Sequence, residues 1–205
     1  PQAYTAIFGN TDLWRAAFNS FYVAIIGCVL GLIGTCVAAY PMAYGNFYGK
    51  KLYVIIIMFT MWFNAGIVPL FLTIRQLGLY DSLWALILNS MITAYNVVII
   101  RSYFSSIPFS VVESARIDGA TDYRILFQLV IPLSKPVLAT VALWLIVGHW
   151  NDYFQAMIYL NAPERYPLQI LLRDIVLQNS MDKQFASMQM GQRQGWQPRH
   201  RPPSP

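Results

Sequence analysis

The chain has 205 residues, of which 57% are hydrophobic and 11% charged, with a mean hydropathy of +0.45 and a formal net charge of +5. Soluble domains carry about 25% charged residues, so this composition excludes an ordinary water-soluble fold and makes the lipid bilayer the expected solvent. The positive charge does not point to nucleic acid: Arg193, Arg199 and Arg201 supply three of it, and no basic stripe with interleaved aromatics exists.

Four apolar stretches are long enough to cross a hydrocarbon core of about 30 Å as helices. The first runs from about Ser20 to Tyr44 without a charge and ends near Pro41. Small residues line it at Ala24, Gly27, Gly31, Gly34, Thr35 and Ala38, and Gly27 with Gly31 forms a GxxxG that lets helices approach closely. A helix of a second chain and a helix of the same chain satisfy that face equally well. Cys28 and Cys36 lie in this span without CxxC or paired-histidine spacing and are expected to be small packing residues. The turn Gly45-Asn46-Phe47-Tyr48-Gly49-Lys50-Lys51 has one residue too few between its glycines for a phosphate loop and no Ser or Thr after the lysine, so it is a short basic turn. The second span covers Leu52 to Ile74, and the third covers Ser82 to Ile100 between Asp81 and Arg101. A fourth, Val137 to Leu160, carries His149 and Asp152, which should face protein or water rather than lipid.

Between the third and fourth spans lies a polar insert. Glu113, Arg116, Asp118, Asp122, Arg124 and Lys135 alternate with Val111, Val112, Ile117, Ile125, Leu126 and Leu129, which predicts short amphipathic helices broken at Gly119 and closed by Pro132. Loop charges orient the chain only weakly. With Lys50 and the insert inside, Lys50, Lys51, Arg101, Arg116, Arg124 and Lys135 stand against Arg15, Arg75, Arg165, Arg173 and Lys183. Parity is firmer: the insert belongs on the same side as Lys50 and opposite residues 75–81.

The insert resembles the cytoplasmic EAA loop of the integral membrane permeases of bacterial ATP-binding-cassette importers. Glu113-Ser114-Ala115 fills the Glu-Ala-Ala triplet, Gly119 is the glycine four residues on, and Leu129-Val130-Ile131-Pro132 takes the final element, with Ser114, Leu129 and Ile131 as mild departures. Phe63-Asn64-Ala65-Gly66-Ile67-Val68-Pro69-Leu70, Leu77-Gly78-Leu79-Tyr80-Asp81-Ser82-Leu83-Trp84-Ala85 and Gly148-His149-Trp150-Asn151 extend the resemblance from about Leu13 to Phe185, toward carbohydrate permeases of the complex or uronic oligosaccharide branch.

The resemblance implies an all-α polytopic transmembrane bundle, a type I importer permease with four of its usual six spans readable. It implies a non-enzymatic subunit of a bacterial inner membrane, without cofactor or metal, partnered by a second permease, two ATPase subunits and an extracytoplasmic solute-binding protein. Glu113, Ser114, Ala115, Asp118, Gly119, Ala120 and Pro132 are the expected ATPase-coupling residues, with Arg116 as a further charge for the partner. Polar and aromatic groups within spans, Asn64, Asn89, Asn96, His149, Trp150, Asn151, Asp152 and Tyr153, are candidates for the sugar path. For Trp150 to Tyr153 an outer interfacial belt fits equally, and His149 also fits as a packing residue. Residues 1–185 form the expected permease domain, and 186–205, rich in Gln, Arg, Gly and Pro, an expected disordered or aberrant tail. The competing classes are a secondary transporter or receptor fragment without an ATPase, and a truncated permease.

Overall fold

In the computed structural model, residues 11–63 and 65–177 are described, and all their regular structure is helical. Asn64 and the tail 186–205 lie outside the described residues. The chain opens with α1 (Thr11–Tyr44), whose 34 residues extend about 51 Å at 1.5 Å per residue, more than a bilayer core requires. Its polarity pattern is inverted relative to a water-soluble helix. Ala16, Asn19, Ser20, Val23, Ala24, Gly27, Cys28, Gly31, Thr35, Cys36 and Ala39 recur at three- or four-residue spacing and are buried. Phe18, Phe21, Ile25, Val29, Ile33 and Val37 point outward. Small residues face protein and bulky ones face the surroundings, as expected where the solvent is hydrocarbon.

The remaining helices are α2 (Lys50–Trp62), α3 (Ile67–Gln76), α4 (Leu83–Ser90), α5 (Ala94–Phe104), α6 (Phe109–Ile117), α7 (Asp122–Ile125), α8 (Ile131–Leu133), α9 (Lys135–Asn151) and α10 (Tyr153–Tyr159). A π-helical turn, Leu126–Val130, joins α7 to α8, and 168–177 are helical again. Among the described residues only α1 is an unbroken helix long and apolar enough to cross a membrane; counting each bent pair as one span raises the number to at most four. Four continuous spans, expected from hydropathy, are thus corrected to one continuous span, the other stretches being bent or interrupted. The breaks have local causes. Ser82 and Thr93 restart the chain as N-caps of α4 and α5 by accepting from Trp84 N and Asn96 N, with a 49° bend between the two helices. Gly66, at φ 85°, precedes α3. The Asp152 side chain caps α10 by accepting from Gln155 N at 3.2 Å, which splits the expected span 137–160.

The glycine face of α1 packs inside its own chain, which decides between the two arrangements open to the GxxxG. A Cβ on Gly27 would lie 2.5 Å from Nε2 of His149 on α9. One on Gly31 would lie 2.8 Å from the Met91 carbonyl, and one on Gly34 2.8 Å from Cδ1 of Ile92, both in the break between α4 and α5.

Polar ties gather at the two ends of α1. At its C-terminal end, Tyr44 Oη donates to Phe104 O, and Tyr53 Oη of α2 donates to Ala38 O at 3.0 Å. At the opposite end Asn19 Nδ2 donates to Glu164 O at 3.0 Å, and Leu168 N to Ser20 Oγ at 2.8 Å. There too Asp81, at φ 57°, accepts from the backbone amides of Asn161 and Ala162 at 2.9 and 3.0 Å and from Arg165 Nη1 at 2.8 Å. The insert therefore shares one end of the bundle with Lys50, while 77–82 and 160–168 share the other.

Two stability experiments follow from these contacts. Gly31→Ala pushes a methyl into a backbone carbonyl and should destabilise the detergent-solubilised protein by about 1–3 kcal/mol. Gly34→Ala meets only the movable end of Ile92 and should cost less; thermal unfolding of the two variants measures the order. The amides of Ala162 and Asn161, then Arg165, hold the Asp81 carboxyl below the usual carboxylate range. Because the folded value is depressed, its stabilising contribution is complete above the unfolded pKa of about 3.9 and is lost as pH falls through the folded value. Asp81→Asn, which tolerates the left-handed backbone, should lower the melting temperature near neutrality and narrow the gap from wild type as pH falls below about 4.

Candidate functional site

The insert is built as two short helices back to back across a glycine turn. Pro108 starts α6, and its C-terminus closes as a Schellman motif: Gly119, at φ 80°, donates to Arg116 O, and Ala120 donates to Ala115 O, both at 3.0 Å. Thr121 then caps α7 through Arg124 N at 3.4 Å. Val112 and Ile125, both 0% exposed, root the two helices in the apolar core around Tyr40, Phe104 and Val141. Rooting these positions leaves Glu113, Ser114, Asp118, Gly119 and Pro132 exposed, with Ala115 and Ala120 half-buried.

A cleft of about 370 Å³ opens between the helices, lined by Ala115, Asp118, Ala120, Arg124, Gln128 and Leu129 among others. Ile117 and Tyr123 stand out into solvent beside it, at 81% and 75% exposure. The charge alternation places Ile117 among the apolar members of the amphipathic pattern, expected to be buried rather than exposed, and does not mark Tyr123 at all.

Two expectations for the insert change, those for Pro132 and Arg116, and the role of Gly119 is defined. Gly119 is required by its positive φ and not by close contact, because a Cβ there meets nothing within 4 Å in this chain. The segment turns at Ser134 and not at Pro132, which sits inside α8. Arg116 is engaged within the chain, its Nη2 donating to Asp122 Oδ1 at 3.0 Å.

A second site lies within the bundle. A cavity of about 410 Å³ is bordered by Ser90, Thr93, Tyr95, Asn96, Trp144, Leu145, Gly148, His149 and Asp152. The Tyr95 and Trp144 rings flank it 5.9 Å apart. His149 Nδ1 lies 2.7 Å from Leu145 O, which can only accept, so the ring carries its proton there. Nε2 lies 3.1 Å from Ser90 Oγ, and that hydroxyl is also 3.0 Å from Leu86 O. His149 is thus both a packing residue over Gly27 and a wall of the cavity.

Of the predicted path residues, the structure brings Asn96, His149 and Asp152 together. Trp150 turns away to pack edge-on against Phe21 at 5.2 Å. Asn151 is exposed, bonding Val147 O at 3.0 Å, and Tyr153 lies under the Arg173 guanidinium. Asn89 pairs with Gln155 beside a separate cleft of about 200 Å³. Ser90, Thr93, Tyr95 and Trp144 were not predicted; the first two are helix-terminus residues, and hydropathy treats them as interruptions.

The chain has an exposed, glycine-closed helix pair at one end and an open pocket bordered by Asn96, His149 and Asp152, and most of its length matches a known family. Residues 14–190 match the binding-protein-dependent transport system inner membrane component family. The chain belongs to this family. Among relatives of this permease family, a polygalacturonan/rhamnogalacturonan transport system permease protein, YtcP, of Bacillus subtilis (strain 168) is 39% identical over 178 residues, covering 87% of this chain and 62% of the relative. Protein LplC of the same organism is 37% identical over 175 residues, covering 85% and 59%. The chain thus spans about three-fifths of these relatives. A solved structure of a bacterial ABC transporter involved in the import of the acidic polysaccharide alginate contains a chain that superposes with a TM-score of 0.83 at 37% identity, covering 92% of this permease chain and 68% of that one.

Proposed function

We propose that the chain forms the transmembrane pathway of an ATP-driven, binding-protein-dependent importer of saccharides in a bacterial cell membrane. Residues 113–132 couple a separate ATPase to translocation. The observation that carries this is the insert itself. Its apolar side is locked into the core by Val112 and Ile125, while the Glu113, Ile117 and Asp118 side is left open beside a cleft. A lever that transmits a motor's movement needs that division, one face fixed to what moves and one face free for what drives it. Lys50 and the insert are cytoplasmic in this arrangement, with 75–81 and 161–183 external.

The partners are a second permease subunit, two ATPase subunits and an extracytoplasmic solute-binding protein, so ATP hydrolysis lies outside this chain. Helix α2 buries none of its residues and offers Leu52, Ile55, Ile56, Phe59 and Trp62 outward, a surface for lipid or the second permease. The names of the pectin-related and alginate transport proteins favour an oligosaccharide containing uronic acids as cargo. The Tyr95 and Trp144 faces, together with Asn96 and His149, supply the stacking and hydrogen bonding a sugar ring requires.

The coupling assignment is tested in the complete-length permease expressed with its ATPase. Gly119→Val forces a β-branched residue into a left-handed backbone at about 1–3 kcal/mol, and Glu113→Lys inverts a charge on the open face. Each should lower ATPase co-purification by about 10-fold or more and abolish uptake while the permease stays in the membrane. Wild-type recovery and uptake in both would remove the coupling assignment. For the path, Asn96→Ala and His149→Ala should reduce uptake while leaving ATPase association intact, and unchanged uptake in both would assign these residues to packing.

A further inference from the structure

We propose that Tyr40, Asp122 and Arg116 form a strut that makes the coupling segment and the end of α1 move as one body, with Tyr40 and Asp122 as positioning residues for transport. A single carboxylate oxygen, Oδ1 of Asp122, accepts from Tyr40 Oη at 2.9 Å and from Arg116 Nη2 at 3.0 Å. The three groups come from three elements. Arg116 ends α6, Asp122 opens α7 beyond the Gly119 turn, and Tyr40 lies in the last turns of α1. The carboxylate therefore spans the glycine turn and ties both of its arms to a membrane helix.

Two features separate this contact from an ordinary surface ion pair, which contributes little to stability. Tyr40 is 7% exposed and packs on Tyr44 at 5.5 Å between ring centres, so its hydroxyl is held by the core. A cavity of about 580 Å³ lies against the same groups, between Pro41, Phe47, Tyr123 and the triad. Side-chain packing does not fill this side of the join, so here the hydrogen bonds are the link, opposite the apolar rooting through Val112 and Ile125. Tyr44 and Tyr53 pin the same end of α1 to α5 and α2, so displacement delivered at Tyr40 passes into the bundle.

The strut rests on the coupling role proposed for residues 113–132, and the test separates the two. In the complete permease, assembled with its ATPase and binding protein in proteoliposomes, Tyr40→Phe should leave ATPase co-purification and ATP hydrolysis at wild-type levels, and transport is read in both Tyr40→Phe and Asp122→Ala. Sugar moved per ATP should fall roughly 5-fold or more, with partial recovery in Asp122→Glu. Spin labels on cysteines at Asn46 and Ser110, with Cys28 and Cys36 replaced by alanine, supply a readout independent of transport. Their distance distribution should be narrow in wild type and broaden in Asp122→Ala. An unchanged transport-to-ATP ratio with an unchanged distribution overturns the strut while leaving the coupling assignment in place. Loss of the ATPase from Tyr40→Phe also overturns it, because the group would then serve docking. Failure of the Glu113 and Gly119 variants to release the ATPase would instead remove the coupling role itself.

Discussion

Close backbone contact along one face of α1 is the constraint on which the rest of the bundle depends. Lipid tails are as apolar as leucine, so no hydrophobic force drives helices together in a membrane, and van der Waals contact must supply the attraction. Gly27 and Gly31 provide it by having nothing where a side chain would be. The His149 ring occupies the space over Gly27, and Leu145 with the Met91 carbonyl that over Gly31. The position of His149, its bond to Ser90 and the wall it gives the cavity all follow from the missing Cβ at residue 27.

Specific polar ties are concentrated where α1 leaves its apolar middle. At one end tyrosine hydroxyls and Asp122 join α1 to α2, α5 and the insert. At the other, Asn19, Ser20 and Asp81 hold the loop around 160–168. Between them the contacts are mostly apolar and non-directional, which allows helices to shift without breaking hydrogen bonds. That distribution keeps both ends assembled while leaving few directional bonds in the middle.

The parts legible in the sequence were those set by composition and spacing: the apolar character, the helical class, the small face of α1, and the glycine turn with its flanking charges. Spacing could not say whether the GxxxG met its own chain or another, because that depends on where α9 and the 91–93 break come to lie. Arg116 looked available to a partner because the sequence does not show that a hexad away, across a reversing turn, Asp122 faces it. Trp150 and Asn151 are neighbours of His149 in sequence but leave the helix on other sides, so of that motif only Gly148 and His149 reach the cavity, one turn on from Trp144 and Leu145. The continuous spans were overestimated for a related reason. A hydropathy window averages over Ser82, Thr93 and Asp152, whereas each of these single side chains caps a new helix.

Those caps explain why a cavity exists at all. A helix interrupted inside a membrane leaves backbone groups without intrahelical partners, which is tolerated where the break is buried in protein or lines a water-filled space. The interruptions at 91–93 and at 152 both border the cavity that holds Asn96 and His149. Thr93 and Asp152 use their side chains to satisfy amides of the restarting helices while presenting polar oxygens to the same space. The features that make the third and fourth spans poor membrane helices are thus the ones that furnish hydrogen-bonding walls. Because α9 connects through α8 and the π-helical turn to α7, the axis that carries His149 is bent by 86° from residues 122–133 of the insert.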